Sequence, residues 1–135
     1  MKRAPAKKVK PHTRRSSCPL AFALDIIGDR WTMLIIRDLT CGSTRFKDFA
    51  ASPERIPTNI LSDRLERLTE EKIIVQVPVA EGSKRLAYQL TPKGKTLLPV
   101  LSALHAWGLQ WMPGTKPTLP AQPLSSSPRL MIALS

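Results

Sequence analysis

Cysteine and histidine are scarce in this 135-residue chain, which has two of each: Cys18, Cys41, His12 and His105. Two thiols cannot staple a small secreted scaffold, and a zinc site would have to borrow carboxylates. No metal or cofactor is therefore expected, and a reducing setting is the default. Long apolar runs are missing too. Stretches such as 34–36 and 130–134 fall far short of the roughly 20 residues that span a bilayer, which excludes an integral membrane protein. The apolar segment 20–28 follows a basic start but is short, contains Asp25 and lacks a small-residue cleavage site, so it does not read as a signal peptide. A cytoplasmic protein is expected, with an organellar transit peptide over the acid-free residues 1–17 as the alternative.

Acids are the other shortage, ten Asp and Glu against 21 Lys and Arg, for a formal charge of +11. The excess is unevenly placed. Lys2, Arg3, Lys7, Lys8, Lys10, Arg14 and Arg15 lie in residues 1–17 with no acid among them, whereas residues 18–112 hold 12 basic and 10 acidic side chains. A charged arm raises the isoelectric point without making a binding surface, so any nucleic-acid reading has to come from the body. Three regions follow: a basic arm, 1–17, expected to be disordered; one folded domain, 18–112; and a Pro/Ser-rich tail, 113–135, with Pro113, Pro117, Pro120, Pro123 and Pro128, to which no regular structure is assigned.

The body reads as mainly helical with one hairpin. Cys18 caps and Pro19 opens a helix that Gly28 ends, with Leu20, Ala23, Leu24 and Ile27 on one face. A second helix, 30–40, displays Trp31, Leu34, Ile35, Ile36 and Leu39 on more than one side and stops at Gly42, so it is expected to be central. Phe46, Phe49 and Ala50 mark a third, short helix with both phenylalanines in the core, and Cys41 is expected to pack there as well. A fourth helix starts at Pro57 with Leu61, Leu65 and Leu68 in a single stripe. Residues 73–79 and 85–90 form a hairpin around Gly82, with Pro78 marking an edge strand. Thr91 then caps a long helix that Pro92 opens, running to Trp111 and kinked or divided at Pro99.

Two short helices, the second polar on its outer face, followed at once by a two-stranded hairpin give the element order of a winged helix-turn-helix. In that unit the second helix enters the major groove and the hairpin tip touches the backbone. Thr58, Asn59 and Ser62 are then the candidates for base edges. Arg45, Lys47, Arg55, Arg64, Arg67, Lys84 and Arg85 are the candidates for phosphates. Asp63 and Glu66, on the same helix, oppose such a role, and a winged helix that assembles with proteins without reading DNA is the alternative. No nucleophile–base spacing, Gly-rich phosphate loop or metal motif is present, and an enzyme is not expected.

Several stretches in order strengthen this reading: Cys18-Pro19, Ile27-Gly28-Asp29-Arg30-Trp31, Gly42-Ser43-Thr44-Arg45-Phe46, Leu61-Ser62-Asp63-Arg64-Leu65, Tyr88-Gln89-Leu90-Thr91-Pro92-Lys93-Gly94 and Leu104-His105-Ala106-Trp107-Gly108. Together they resemble the HxlR-type winged-helix transcriptional regulators over about residues 18–111. The resemblance implies a homodimer on a pseudo-palindromic operator in double-stranded DNA, joined through the first and last helices. Leu20, Leu24, Leu101, Leu104, Trp107 and Trp111 are the interface candidates, and they account for the surplus of apolar surface on residues 92–112. Lys84 and Ala87 stand where the family usually has proline and glutamate around the second wing strand, and Pro57 replaces a small polar residue. Some members sense oxidants or electrophiles at the position matching Cys18, so a redox or small-molecule effector is implied there. A thiol at a helix N-terminus behind Arg14 and Arg15 has its reactive thiolate form favoured.

Overall fold

The structure, a computed structural model, describes residues 15–120. Residues 1–14 and 121–135, with Arg14, most of the basic arm and the 130–134 apolar run, lie outside the described residues. The order is α1 (Pro19–Ile27), α2 (Thr32–Thr40), α3 (Phe46–Ala50), α4 (Thr58–Glu70), β1 (Ile74–Pro78), β2 (Leu86–Leu90), α5 (Pro92–Lys95) and α6 (Leu98–Trp111). This is the mainly helical winged helix-turn-helix architecture that the residue pattern predicts.

Its core is built from the apolar stripes. Ile35 and Ile36 of α2, Phe49 of α3, Leu61, Leu65 and Leu68 of α4, Ile73 and Ile74 entering the hairpin, and Leu101 of α6 are all buried together with Ile56. Leu61, Leu65 and Leu68 are spaced so that one helix face is continuously apolar, and burying it commits the opposite face to water. The hairpin is antiparallel, with Ile74 opposite Leu90 and Pro78 opposite Leu86.

The element ends have local causes. Lys72 adopts a left-handed φ of 63° after α4, so Ile73 N–H reaches the Leu68 carbonyl at 2.9 Å and Lys72 N–H the Thr69 carbonyl at 3.1 Å. This double closure turns the chain sharply into β1. Thr91 caps α5 by accepting from Gly94 N–H at 3.0 Å. Gly94 is required there, since a Cβ would stand 2.1 Å from the Ile73 carbonyl oxygen.

Three expectations change, and the division expected near Pro99 is found without a kink. Helix α2 begins at Thr32, and the Asp29 carboxylate accepts from the N–H groups of Trp31 and Thr32 in the turn that leads into it. The long C-terminal helix is divided ahead of Pro99, whose ring suits the first turn of α6 and so opens it without kinking it. Phe46 is 37% exposed, because the short α3 turns only Phe49 inward. Cys41 is also exposed, its Sγ–H donating to the Thr118 carbonyl at 3.3 Å. After α6 the chain has no helix or strand through Pro120, yet it is docked: Thr118 N–H donates to His105 Nε2 at 3.0 Å and Leu119 packs against the core. Among the described residues no helix is long and apolar enough to cross a membrane.

Candidate nucleic-acid interface

The first two turns of α4 present Thr58, Asn59 and Ser62 as exposed side chains on the side away from the Leu61, Leu65, Leu68 stripe. Pro57 precedes them in an extended conformation and leaves the helix N-terminus open. The preceding turn is held firmly. Arg37 on α2 reaches Glu54 through two guanidinium N–H donors at 2.7 Å each and Ser52 Oγ at 3.0 Å, and the Ser52 hydroxyl donates to Glu54 at 2.8 Å. Ile56 is buried beneath, and Arg55 between them takes a left-handed φ of 57°, which aims an exposed cationic side chain outward beside the start of α4. A non-glycine residue in that region is uncommon and signals that its surroundings impose it.

The Arg37 guanidinium holds the Glu54 carboxyl down at about 2, against a burial effect that would raise it. The sign is that of a carboxylate favoured by folding. Its contribution is complete above its ordinary value of 4.5 and is lost as the pH falls from there towards 2. Because solvent reaches more than a third of this side chain, the contribution is about 1 kcal/mol after screening. Glu54→Gln should therefore be less stable than wild type by about that amount near neutrality and equally stable near pH 2. Denaturant unfolding across that range checks it, and a difference that stays constant with pH would show that Arg37 does not discriminate the ionised form.

The hairpin tip carries Lys84 and Arg85, both exposed. Between the tip and α3 lies an open groove lined by Arg45, Phe46, Lys47, Gln76, Arg85, Leu86 and Tyr88. Its two walls are joined by a backbone bond, Tyr88 N–H to the Thr44 carbonyl at 2.7 Å, and by the edge-on packing of Phe49 and Tyr88 rings 6.0 Å apart. Three cations thus converge on one channel with half-exposed apolar walls. Gln76 and Phe46 are members that sequence reasoning missed. The outward register of Gln76 in β1 could have found the first; nothing in the sequence separates Phe46 from Phe49.

Two arginines depart from the expected role of free phosphate partners. Arg64 donates from Nε to Asp29 at 2.9 Å and also pairs with Asp63. Its side chain is only 21% exposed. Arg67 donates to the Asp25 carbonyl at 3.2 Å. Both turn back toward the corner between α1 and α2, because positions 64 and 67 lie nearer the buried stripe than Thr58, Asn59 and Ser62 do. Burial pushes the Asp29 carboxyl up, but the hydroxyl of Thr32, Arg64 and the N–H of Trp31 outweigh it and hold the group below the usual carboxylate range.

Two helices carry exposed apolar side chains. Leu20 and Leu24 on α1 are 65% and 50% exposed, and Leu104, Trp107 and Trp111 on α6 are 54%, 67% and 64% exposed. Leu101, expected among them, is instead 7% exposed and belongs to the protomer's own core, since it lies on the face of α6 turned to α2. Cys18 is exposed at the start of α1, its N–H donating to Ser16 Oγ at 3.1 Å. The guanidinium of Arg15 is engaged with Asp25 at 2.7 Å, not with the thiol.

Comparisons with known proteins agree with this geometry. The HxlR-like helix-turn-helix family model matches residues 26–116. YvaP of Bacillus subtilis, an HTH-type transcriptional regulator by name, is 36% identical over 96 residues, covering 70% of this chain and 89% of that one. Three mycobacterial relatives of equal identity are longer, the match spanning 57% of their length. The crystal structure of PA1607 superposes with a TM-score of 0.70 at 40% identity over 83% of this chain and 78% of that one. The transcriptional regulator YodB of B. subtilis, in its reduced form, superposes with a TM-score of 0.59 at 30% identity over 75% of this chain and all of that one. With a helix-turn-helix whose second helix is polar on its outer face, a hairpin with a basic tip and a family match that runs through both, the chain belongs to the HxlR-like helix-turn-helix family of DNA-binding transcriptional regulators.

Proposed function

We propose that this regulator acts in the cytoplasm as a homodimer, each copy placing Thr58, Asn59 and Ser62 in a major groove of one half of a pseudo-palindromic operator. The exposed, open first turns of α4 carry this reading. Short hydroxyl and amide side chains there can exchange hydrogen bonds with base edges, and Asn pairs well with adenine. Arg45, Lys47, Lys84 and Arg85 take phosphates along the channel between α3 and the wing, and Arg55 takes one at the start of α4. The paired surface is α1 and α6, where Leu20, Leu24, Leu104, Trp107 and Trp111 are too large and too exposed to be left in water. Cys18, exposed beside that surface, is the proposed point of response to oxidants or electrophiles. YodB has been solved in reduced, diamide-treated and quinone-bound forms.

Selection of bound duplexes from random-sequence DNA, followed by titration at several salt concentrations, tests the reading. Affinity should fall steeply with salt. Arg85→Ala should weaken every sequence and reduce the salt slope by about one unit, while Asn59→Ala should relax preference at one position by about 1–3 kcal/mol. A flat salt response with no selected sequence would favour the alternative of a protein-assembly module, to which the exposed Asp63 and Glu66 are better suited.

A further inference from the structure

Helix α1 has no buried residue of its own, and its large side chains Leu20, Phe22 and Leu24 face outward. Its C-terminal end is nevertheless fastened to the back of the reading helix by two struts. Arg67 of α4 donates to the Asp25 carbonyl in the last turn of α1, and Arg64 of α4 donates to Asp29 just beyond it. Asp29 is itself immobilised. One carboxylate oxygen takes the Trp31 and Thr32 N–H groups at 3.0 and 3.1 Å together with Arg64, and the other takes the Thr32 hydroxyl. The carboxylate cannot move without uncapping α2, so the Arg64 strut has little slack. Both struts sit in the partly buried corner lined by Ile26, Thr32 and Leu68, where a charge-assisted bond is stronger than at an open surface.

We propose that Asp29 is a positioning residue: through Arg64 it ties α4 to the turn that joins α1 to α2, beside the Arg67 bond to the last turn of α1, so that the pairing of α1 across the dimer sets the distance and twist between the two reading helices and hence the half-site spacing that is bound. This rests on the homodimer reading above. A rigid connection makes spacing selective, because a one-base-pair change both lengthens the separation and rotates one half-site about the duplex. A slack connection lets each reading helix follow its own half-site.

The test uses the full chain and duplexes carrying the two half-sites selected from random DNA, resynthesised with spacers one to three base pairs longer or shorter. Wild type is expected to prefer one spacing by roughly tenfold over its neighbours, a typical coupling between sites. Asp29→Asn keeps an efficient cap for α2 and should cut that preference to about threefold or less, with binding to a single half-site within about twofold of wild type. Electrostatics alone predicts another result, since removing an acid near DNA would tighten binding equally at every spacing. Arg64→Met should match Asp29→Asn, and Arg64→Lys should restore part of the preference. Wild-type selectivity in both Asp29→Asn and Arg64→Met overturns the proposal, as does a fall of about one unit in the salt slope of Arg64→Met at all spacings, the mark of a direct phosphate contact. A monomeric wild-type protein would refute the dimer reading and this inference with it, whereas a dimeric wild type indifferent to spacing overturns this inference alone; both results appear before any substitution.

Discussion

Trp107→Glu is expected to leave the fold intact and convert the proposed homodimer to a monomer, lowering affinity for a duplex with two half-sites by about a hundredfold, equivalent to about 2.7 kcal/mol. The indole is 67% exposed in the protomer and stands between Leu104 and Trp111 on α6, with Leu20 and Leu24 supplying the apolar face of α1. Aromatic side chains at the centre of such a patch dominate association energies. A carboxylate in their place would have to be buried unpaired, which costs several kcal/mol or prevents contact. Losing the dimer removes the advantage that the second half-site gains from being tethered to the first. Light scattering and titration of the same sample check both halves, and a dimer that persists with unchanged affinity would place the partner surface elsewhere. Leu101→Glu would not serve, since that leucine is buried in the protomer and its replacement attacks the fold itself.

Phe49→Ala is expected to cost about 3–5 kcal/mol of stability, the range for removing a buried aromatic ring. Phe49 is fully buried, and its ring meets Tyr88 edge-on at 6.0 Å, an arrangement that adds to the area it removes from water. It ties the short α3, which has too few residues to hold itself, to the hairpin and to the α2–α4 core. A domain of about 100 residues has only about 5–15 kcal/mol to lose, so the variant should unfold well below the wild-type temperature. Denaturant midpoints compared at one protein concentration measure the loss, since any association adds to apparent stability. A change under about 1 kcal/mol would mean that the cavity collapses and that Phe49 is not the pin between α3 and the wing.

The sequence by itself determined the secondary structure and its order. Leu61, Leu65 and Leu68 recur at helical spacing, Pro19 and Pro92 sit where a first helical turn tolerates proline, and two β-rich stretches flank Gly82. These are local constraints, written in nearest-neighbour chemistry, and several distinct short motifs in order carried the resemblance to a known family. The exposed positions of Thr58, Asn59 and Ser62 followed from the same periodicity. Only the tertiary structure decided which side chains are spoken for. Arg64 and Arg67 lie on the same helix as those three, but their long side chains reach Asp29 and the Asp25 carbonyl, partners many residues away in the chain. Leu101 is buried while Leu104 is not, and Phe49 is buried while Phe46 lines a groove, because one helix face meets α2 or the hairpin and its neighbour does not. The docking of Thr118 on His105 and Cys41 is likewise a long-range meeting. Periodicity reports which residues share a face. It contains no information about what that face touches, and contact, not composition, separates a free cation from a strut.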